Sequence, residues 1–175
     1  MATWNLDNAH SEIEFKVKHM MISTVKGQFQ DFQVTVDSAD TTLSDQTRIL
    51  AEIKVESIDT KNKDRDAHLK NEDFFNTTVF PNITFQATAI ENKGDGEYQI
   101  TGDLTIKDVT RSVAFDVEFG GLAKDPWGNQ KAGYTVTGKI NRNDFGLTYN
   151  AVLETGGVML SDEVKFQADL QFVIA

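Results

Sequence analysis

Cysteine is absent from these 175 residues, which removes disulfides, thiolate metal sites and thiol nucleophiles together and fits a reducing compartment. Proline occurs twice, at Pro81, which forces extension after a short helical stretch, and at Pro126 in a loop. Histidine occurs three times, at His10, His19 and His68, and no two of them have helical metal-ligand spacing. Positive charge is in the minority: 17 lysines and arginines stand against 27 aspartates and glutamates, a net charge of −10. Non-specific attraction to nucleic acid or to an anionic bilayer is therefore disfavoured, since both are polyanions. No apolar run approaches the roughly 18 residues that a membrane-spanning helix needs. The stretch Met1 to Asp7 reads as folded strand rather than as a basic-then-apolar export signal, so a cytoplasmic protein is expected.

What the sequence does have is alternation with a period of two. From Glu163 to Ile174, Val164, Phe166, Ala168, Leu170, Phe172 and Ile174 fall on one side, and Glu163, Lys165, Gln167, Asp169 and Gln171 on the other. That is the pattern of a half-buried strand. The same reading predicts eight main strands, at 11–19, 25–36, 48–56, 82–91, 97–107, 111–121, 131–141 and 163–174, with a short leading strand at Thr3 to Leu6. Gly94-Asp95-Gly96 and Lys107-Asp108-Val109-Thr110 read as hairpin turns, so the strands they join are antiparallel neighbours. Only Asp59 to Asn76 has helix-like composition, enough for one or two turns. One short helix cannot cover so many one-sided strands, so the sheet must close on itself. The expected fold is all-β: an extended eight-stranded antiparallel lipocalin-like barrel with one short helical segment, spanning 1–175 as one domain.

Closure raises the question of what fills the inside. The inferred inner face mixes small residues (Ala51, Ala87, Ala89, Gly102, Gly138, Ala168) with rings (Phe15, Phe29, Phe85, Phe115, Phe119, Phe166, Phe172). An eight-stranded barrel is either just filled by side chains or holds one small ligand, and the small residues favour the second case. A lining so poor in charge suits an apolar chain rather than a sugar, nucleotide or metal complex. The alternation assigns Phe15, Val17, Phe29, Ile53, Phe85, Leu104, Phe115, Phe119, Tyr134, Phe166 and Phe172 to the wall, with His19 near a mouth.

The remaining candidates each have a plainer reading. Asn62-Lys63-Asp64-Arg65-Asp66 followed by Asp73 resembles a calcium loop, but Ala67 stands where glycine is needed and the last ligand is Asp rather than Glu. Asp144-Phe145-Gly146 matches a kinase metal triplet without its partner motifs, and reads as a turn with a buried ring. No GxSxG elbow is present and the carboxylates lie mostly on outward faces, so no catalytic, metal or cofactor site is expected. Arg65, Asp66 and His68 with Arg111, Arg142 and Asp144 form either a polar cluster at a mouth or ties holding loops to the barrel. Trp127, in the loop Ala123 to Gln130, is either an exposed lid or contact residue or a plug of the barrel end; Asn143 to Gly157 is a second lid candidate. Lys16, Lys18 and Lys26 flank Met20, Met21 and Ile22, giving either a solvated strand end or a small patch for a lipid surface or partner.

Several separated segments resemble the YceI-like family, lipocalin-like proteins known for binding polyisoprenoids. They are Trp4-Asn5-Leu6-Asp7-Asn8-Ala9-His10-Ser11, Phe15-Lys16-Val17-Lys18-His19-Met20, Gly27-Gln28-Phe29, Arg65-Asp66-Ala67-His68-Leu69 with Phe74-Phe75, and Phe80-Pro81-Asn82-Ile83-Thr84-Phe85. Gly102-Asp103-Leu104-Thr105-Ile106-Lys107-Asp108-Val109-Thr110 and Ile140-Asn141-Arg142-Asn143-Asp144-Phe145-Gly146 complete the set. The resemblance implies an extended barrel holding a long isoprenoid, isoprenoid quinone or fatty-acid-like chain, without catalysis. The expectation is thus non-enzymatic sequestration or transport of an amphiphilic lipid, with no nucleic-acid partner. Transient membrane contact and a homodimer stay open, and the alternative is a packed, lipid-free barrel acting as a stress-related or interaction scaffold.

Overall fold

The computed structural model describes residues 2–20, 22–39, 41–148 and 160–175. In chain order the elements are β1 (Ala2–Leu6), β2 (Glu12–His19), β3 (Ser23–Phe29), β4 (Phe32–Ser38), β5 (Arg48–Lys54), β6 (Ile58–Asp59), α1 (Lys63–Lys70), β7 (Asn82–Gly94), β8 (Glu97–Ile106), β9 (Val109–Lys124), β10 (Gln130–Asn141) and β11 (Leu160–Ile174). Their antiparallel pairing closes a barrel of eight strands, because three strands are each made of two segments in line. Along one edge β11 pairs with β10; along the other it pairs first with β2 and then with β1. Next in the ring, β3 pairs with β2 and β4 with β1, followed by β6 against β3 and β5 against β4. β7, β8 and β9 complete the circuit back to β10 as a meander.

The interruptions follow from residue spacing. Phe29 and Phe32 are both buried yet lie three apart, which a strand of period two cannot satisfy without a break. The predicted strand 25–36 is therefore two segments, and the residues between them find partners on the neighbouring strand. Gln30 N–H donates to the Ser57 carbonyl, Asp31 N–H to Ser57 Oγ, and the Asp31 carbonyl accepts from Lys54 N–H. Buried Val55 and Ile58 repeat the spacing of three on that strand, with a single 3-10 turn between them.

A bulge corrects the predicted phase of β7. Ala87 lies opposite Gly102, but Ala89 lies opposite Thr101, so Thr88 is the extra residue. Ala89, expected on the inner face, is exposed, and Ile90 packs against the core in its place. Both predicted hairpin turns form. Asp95 and Gly96 link β7 to β8 with φ of 55° and 77°, the left-handed conformations a two-residue turn requires.

The barrel has two unlike ends. At one, the hairpin between β2 and β3, α1 and the 3-10 turn Arg142–Phe145 gather; at the other, the chain termini meet the turns before β8 and β10. The residues of the calcium-like stretch are engaged in holding α1. Asn62 caps the helix by accepting from Arg65 N–H, Asp66 accepts from Thr60 N–H at 2.9 Å, and Asp73 meets His68 at 2.9 Å.

Candidate functional site

Inward side chains from all eight barrel strands surround an apolar cavity of about 270 Å3. Among the described residues its wall is hydrocarbon apart from Trp4, Tyr134 and Arg142, which carry the only polar side-chain atoms of that lining. Burial pushes the Tyr134 phenol well above its ordinary pKa, with the neighbouring Tyr98 adding to the effect, so the ring presents a neutral hydroxyl. Burial pulls Arg142 below its ordinary pKa while Asp162 opposes the shift. Its Nε donates to the Ser161 carbonyl and its Nη1 to the Leu147 carbonyl, so this guanidinium ties the start of β11 and the turn after β10 together.

Ten of the twelve residues assigned to the site line the cavity: Phe15, Val17, Phe29, Ile53, Phe85, Leu104, Phe115, Tyr134, Phe166 and Phe172. Phe119 does not, although it keeps the phase of Phe115 and Val117: it sits opposite Tyr134 near the β7–β8 turn and packs on the Tyr134 ring at 5.2 Å, at the barrel end beyond the cavity wall. His19 ends β2 opposite Leu160 and Ser23, at the barrel end and off the cavity wall. Alternation missed lining residues that come from helix α1 and from loops. Leu43, Leu69, Phe74, Phe75 and Leu147 reach the cavity from outside the strands, where no period of two marks them.

The small residues play a different part from the one expected. A Cβ built on Gly138 would lie 2.5 Å from Phe115 and 2.7 Å from Phe166, and one on Gly102 would lie 2.5 Å from Phe85; Gly27 is covered likewise by Phe15. The glycines are therefore filled sites. Each lets a ring lie flat against the barrel wall instead of standing across the axis, which leaves the axis open. Phe85, Phe115 and Phe166 continue the arrangement as a chain of ring contacts at 5.1 and 4.6 Å.

The two ends are closed differently. At the termini, Trp4 meets Tyr134 and Phe172 with centroids 5.9 and 5.5 Å apart, an aromatic plug carried on strands. At the α1 end, Leu69, Phe74 and Phe75 cover the lumen from a segment held by partly exposed polar bonds such as Glu56–Lys70 at 3.6 Å and Thr77–Glu56 at 2.8 Å. Segments tied this way open at lower cost than packed strands. Arg65 and Asp66 bond within this segment, at Thr60, whereas Arg111 bonds the Asp144 carbonyl and Arg142 the carbonyls noted above. These are loop ties of the kind anticipated. Phe145 is 2 % exposed, a buried ring in a turn that ends at Gly146. Trp127 is 82 % exposed and does not plug the barrel. Of Asn143 to Gly157, residues 149–157 lie outside the described residues, as does Met21. Among the described residues no three His, Asp or Glu side chains gather in metal-binding geometry.

Known proteins share both sequence and barrel. The chain is 47 % identical to a UPF0312 protein of Staphylococcus aureus, over all of this chain and 99 % of the relative. Burkholderia cenocepacia BcnA superposes with a TM-score of 0.81 at 25 % identity, covering 95 % of this chain and 99 % of its own. The Campylobacter jejuni YCEI protein gives 0.69 at 33 % identity over 94 % and 96 %. A polyisoprenoid binding domain from Saccharophagus degradans shares the fold at a TM-score of 0.74, 12 % identity and 99 % coverage of each chain. The YceI-like domain model matches residues 4–172, and with that span and those relatives the chain belongs to the YceI-like family.

Proposed function

We propose that the protein binds one long-chain amphiphile, a polyisoprenoid, isoprenoid quinone or fatty-acid-like lipid, in the barrel lumen, and holds or carries it without chemical change. The observation that carries this reading is the closed strand wall around an axial cavity lined almost entirely by hydrocarbon. The likeness in fold to a polyisoprenoid binding domain supports the same class of ligand.

Volume limits the tail. An apolar cavity of about 150 Å3 takes up one benzene. On that scale 270 Å3 accommodates about eleven carbons, or two isoprene units. Burying them contributes roughly 9 kcal/mol gross at about 0.8 kcal/mol per carbon, against an association cost of ~4–15 kcal/mol. A longer tail must run out through a barrel end or displace wall rings. The loop-covered α1 end is the natural exit, since opening the other means parting Trp4, Tyr134 and Phe172.

Native mass spectrometry of the purified protein, paired with solvent extraction, tests the reading. Adduct mass that disappears on extraction and reappears as a lipid in the organic phase is the expected result. A protein of bare-chain mass that gains no thermal stability from any long-chain amphiphile would overturn it.

A further inference from the structure

The register places lysines side by side on the outer wall. Lys139 lies opposite Lys165, Lys165 opposite Lys16, and Lys16 opposite Lys26, a row across β10, β11, β2 and β3. All four are exposed, and Lys18 is exposed two residues further along β2. At about 4.8 Å between strands the row is roughly 14 Å wide. Only Lys139 has a carboxylate partner, Glu163 at 3.5 Å; among the described residues none holds Lys16, Lys18, Lys26 or Lys165 in an ion pair. In a chain of net charge −10 this concentration is contrary to composition. It also costs stability, because like charges directly opposite on neighbouring strands repel.

Immediately beyond the row, the β2–β3 hairpin carries two apolar side chains into solvent, Met20 at 40 % and Ile22 at 84 % exposure. This is the same barrel end that α1 covers. Lys16 is four residues from Met20, about 13 Å along the strand, so a barrel tilted onto this wall brings lysines and hairpin tip to one plane. Basic residues beside a protruding apolar tip match a phospholipid surface, which offers anionic headgroups and, beneath them, hydrocarbon. A soluble polyanion would use the lysines and leave Ile22 without a role.

We infer that the wall formed by Lys16, Lys18, Lys26 and Lys165, with the exposed Met20 and Ile22 beyond it, docks the barrel by its α1 end onto an anionic phospholipid bilayer. That this docking serves exchange of a lipid rests on the proposed function; the docking itself does not. Net charge forbids general attraction to such a surface, and the local wall supplies a directed one.

The test is flotation of the 175-residue protein with vesicles of phosphatidylcholine alone or mixed with phosphatidylglycerol. The variants are K16Q/K26Q/K165Q together and Ile22→Asp, none of which lines the cavity. Binding to the anionic vesicles only, weakened by added salt, is expected. The triple variant should bind on the order of 100-fold more weakly, at roughly five-fold per lysine, and Ile22→Asp more than about ten-fold. The triple variant should also be at least as thermally stable as the parent, which a structural role for the lysines would not allow. Equal binding to neutral vesicles, equal binding by the variants, or no vesicle binding overturns the inference, as does polyanion binding that ignores Ile22→Asp. Native mass spectra of the same samples report lipid occupancy separately, so failure to dock and failure of the cargo reading are told apart.

Discussion

Replacing Ala168 by leucine separates a lumen from a packed core. Ala168 is buried on β11, opposite Val136 and Ile13, and its methyl faces the cavity. Leucine adds three carbons, about 75 Å3 on the benzene scale, which leaves roughly 195 of the 270 Å3. The tail capacity falls from about eleven carbons to about eight, a loss of roughly 2.4 kcal/mol or 50-fold in affinity. The apo protein should be as stable as the parent or more so, because the added methylenes find apolar space. A packed core would instead lose about 1–3 kcal/mol through overpacking. Denaturant melts of delipidated protein give the first quantity and titration with a long-chain amphiphile the second. Destabilisation in that range with unchanged ligand affinity would refute the reasoning.

Glycine sites should behave oppositely. Gly138→Ala drives a methyl into Phe115 and Phe166, so it should cost roughly 1–3 kcal/mol and push rings toward the axis, lowering lipid capacity in the same melts and titrations. Arg142→Leu removes the donors to the Ser161 and Leu147 carbonyls; each buried acceptor left without a partner costs roughly 1–3 kcal/mol, measurable as a lowered denaturant midpoint. Asp7 accepts from His10 and Lys131, with His10 the larger cause, which holds its carboxyl below the ordinary value of 3.8 in the fold. A depressed folded-state pKa contributes stability above the unfolded value that is lost as pH falls through the folded one. Asp7→Asn should therefore be less stable than the parent at neutral pH, by no more than about 1 kcal/mol, with the gap closing below the folded-state pKa. Thermal melts across that acid range check it, and a gap that persists at the acid end contradicts the assignment.

The strand pattern was legible because inward side chains from Ile13 to Val17 and from Val164 to Ile174 keep a strict period of two. Three features escaped it for one reason: they are places where the period fails locally. The break between Phe29 and Phe32, the bulge at Thr88 and the irregularity before Tyr134 each change the face on which later residues fall. The odd spacing of Phe29 and Phe32 was visible in the sequence; the bulge carried no comparable mark. Within the site, ten of the strand residues assigned to it line the cavity, whereas Leu69 on α1 and Phe75 in the loop after it carry no period of two that would mark them. The glycines were identified as inner-face residues but their consequence was inverted. A sequence shows an absent side chain, and only coordinates show the ring that occupies its place. The lysine row depends on strand register, which sets Lys165 beside Lys16, more than a hundred positions away in the chain.

Binding of a graded series of single-chain amphiphiles with one common head group to the delipidated protein tests the apolar axial lumen most directly. Affinity should rise about 15-fold for every two carbons added, and flatten near eleven carbons, where the cavity of about 270 Å3 is full. Affinity that does not depend on tail length, or no saturable binding at any length, would contradict it.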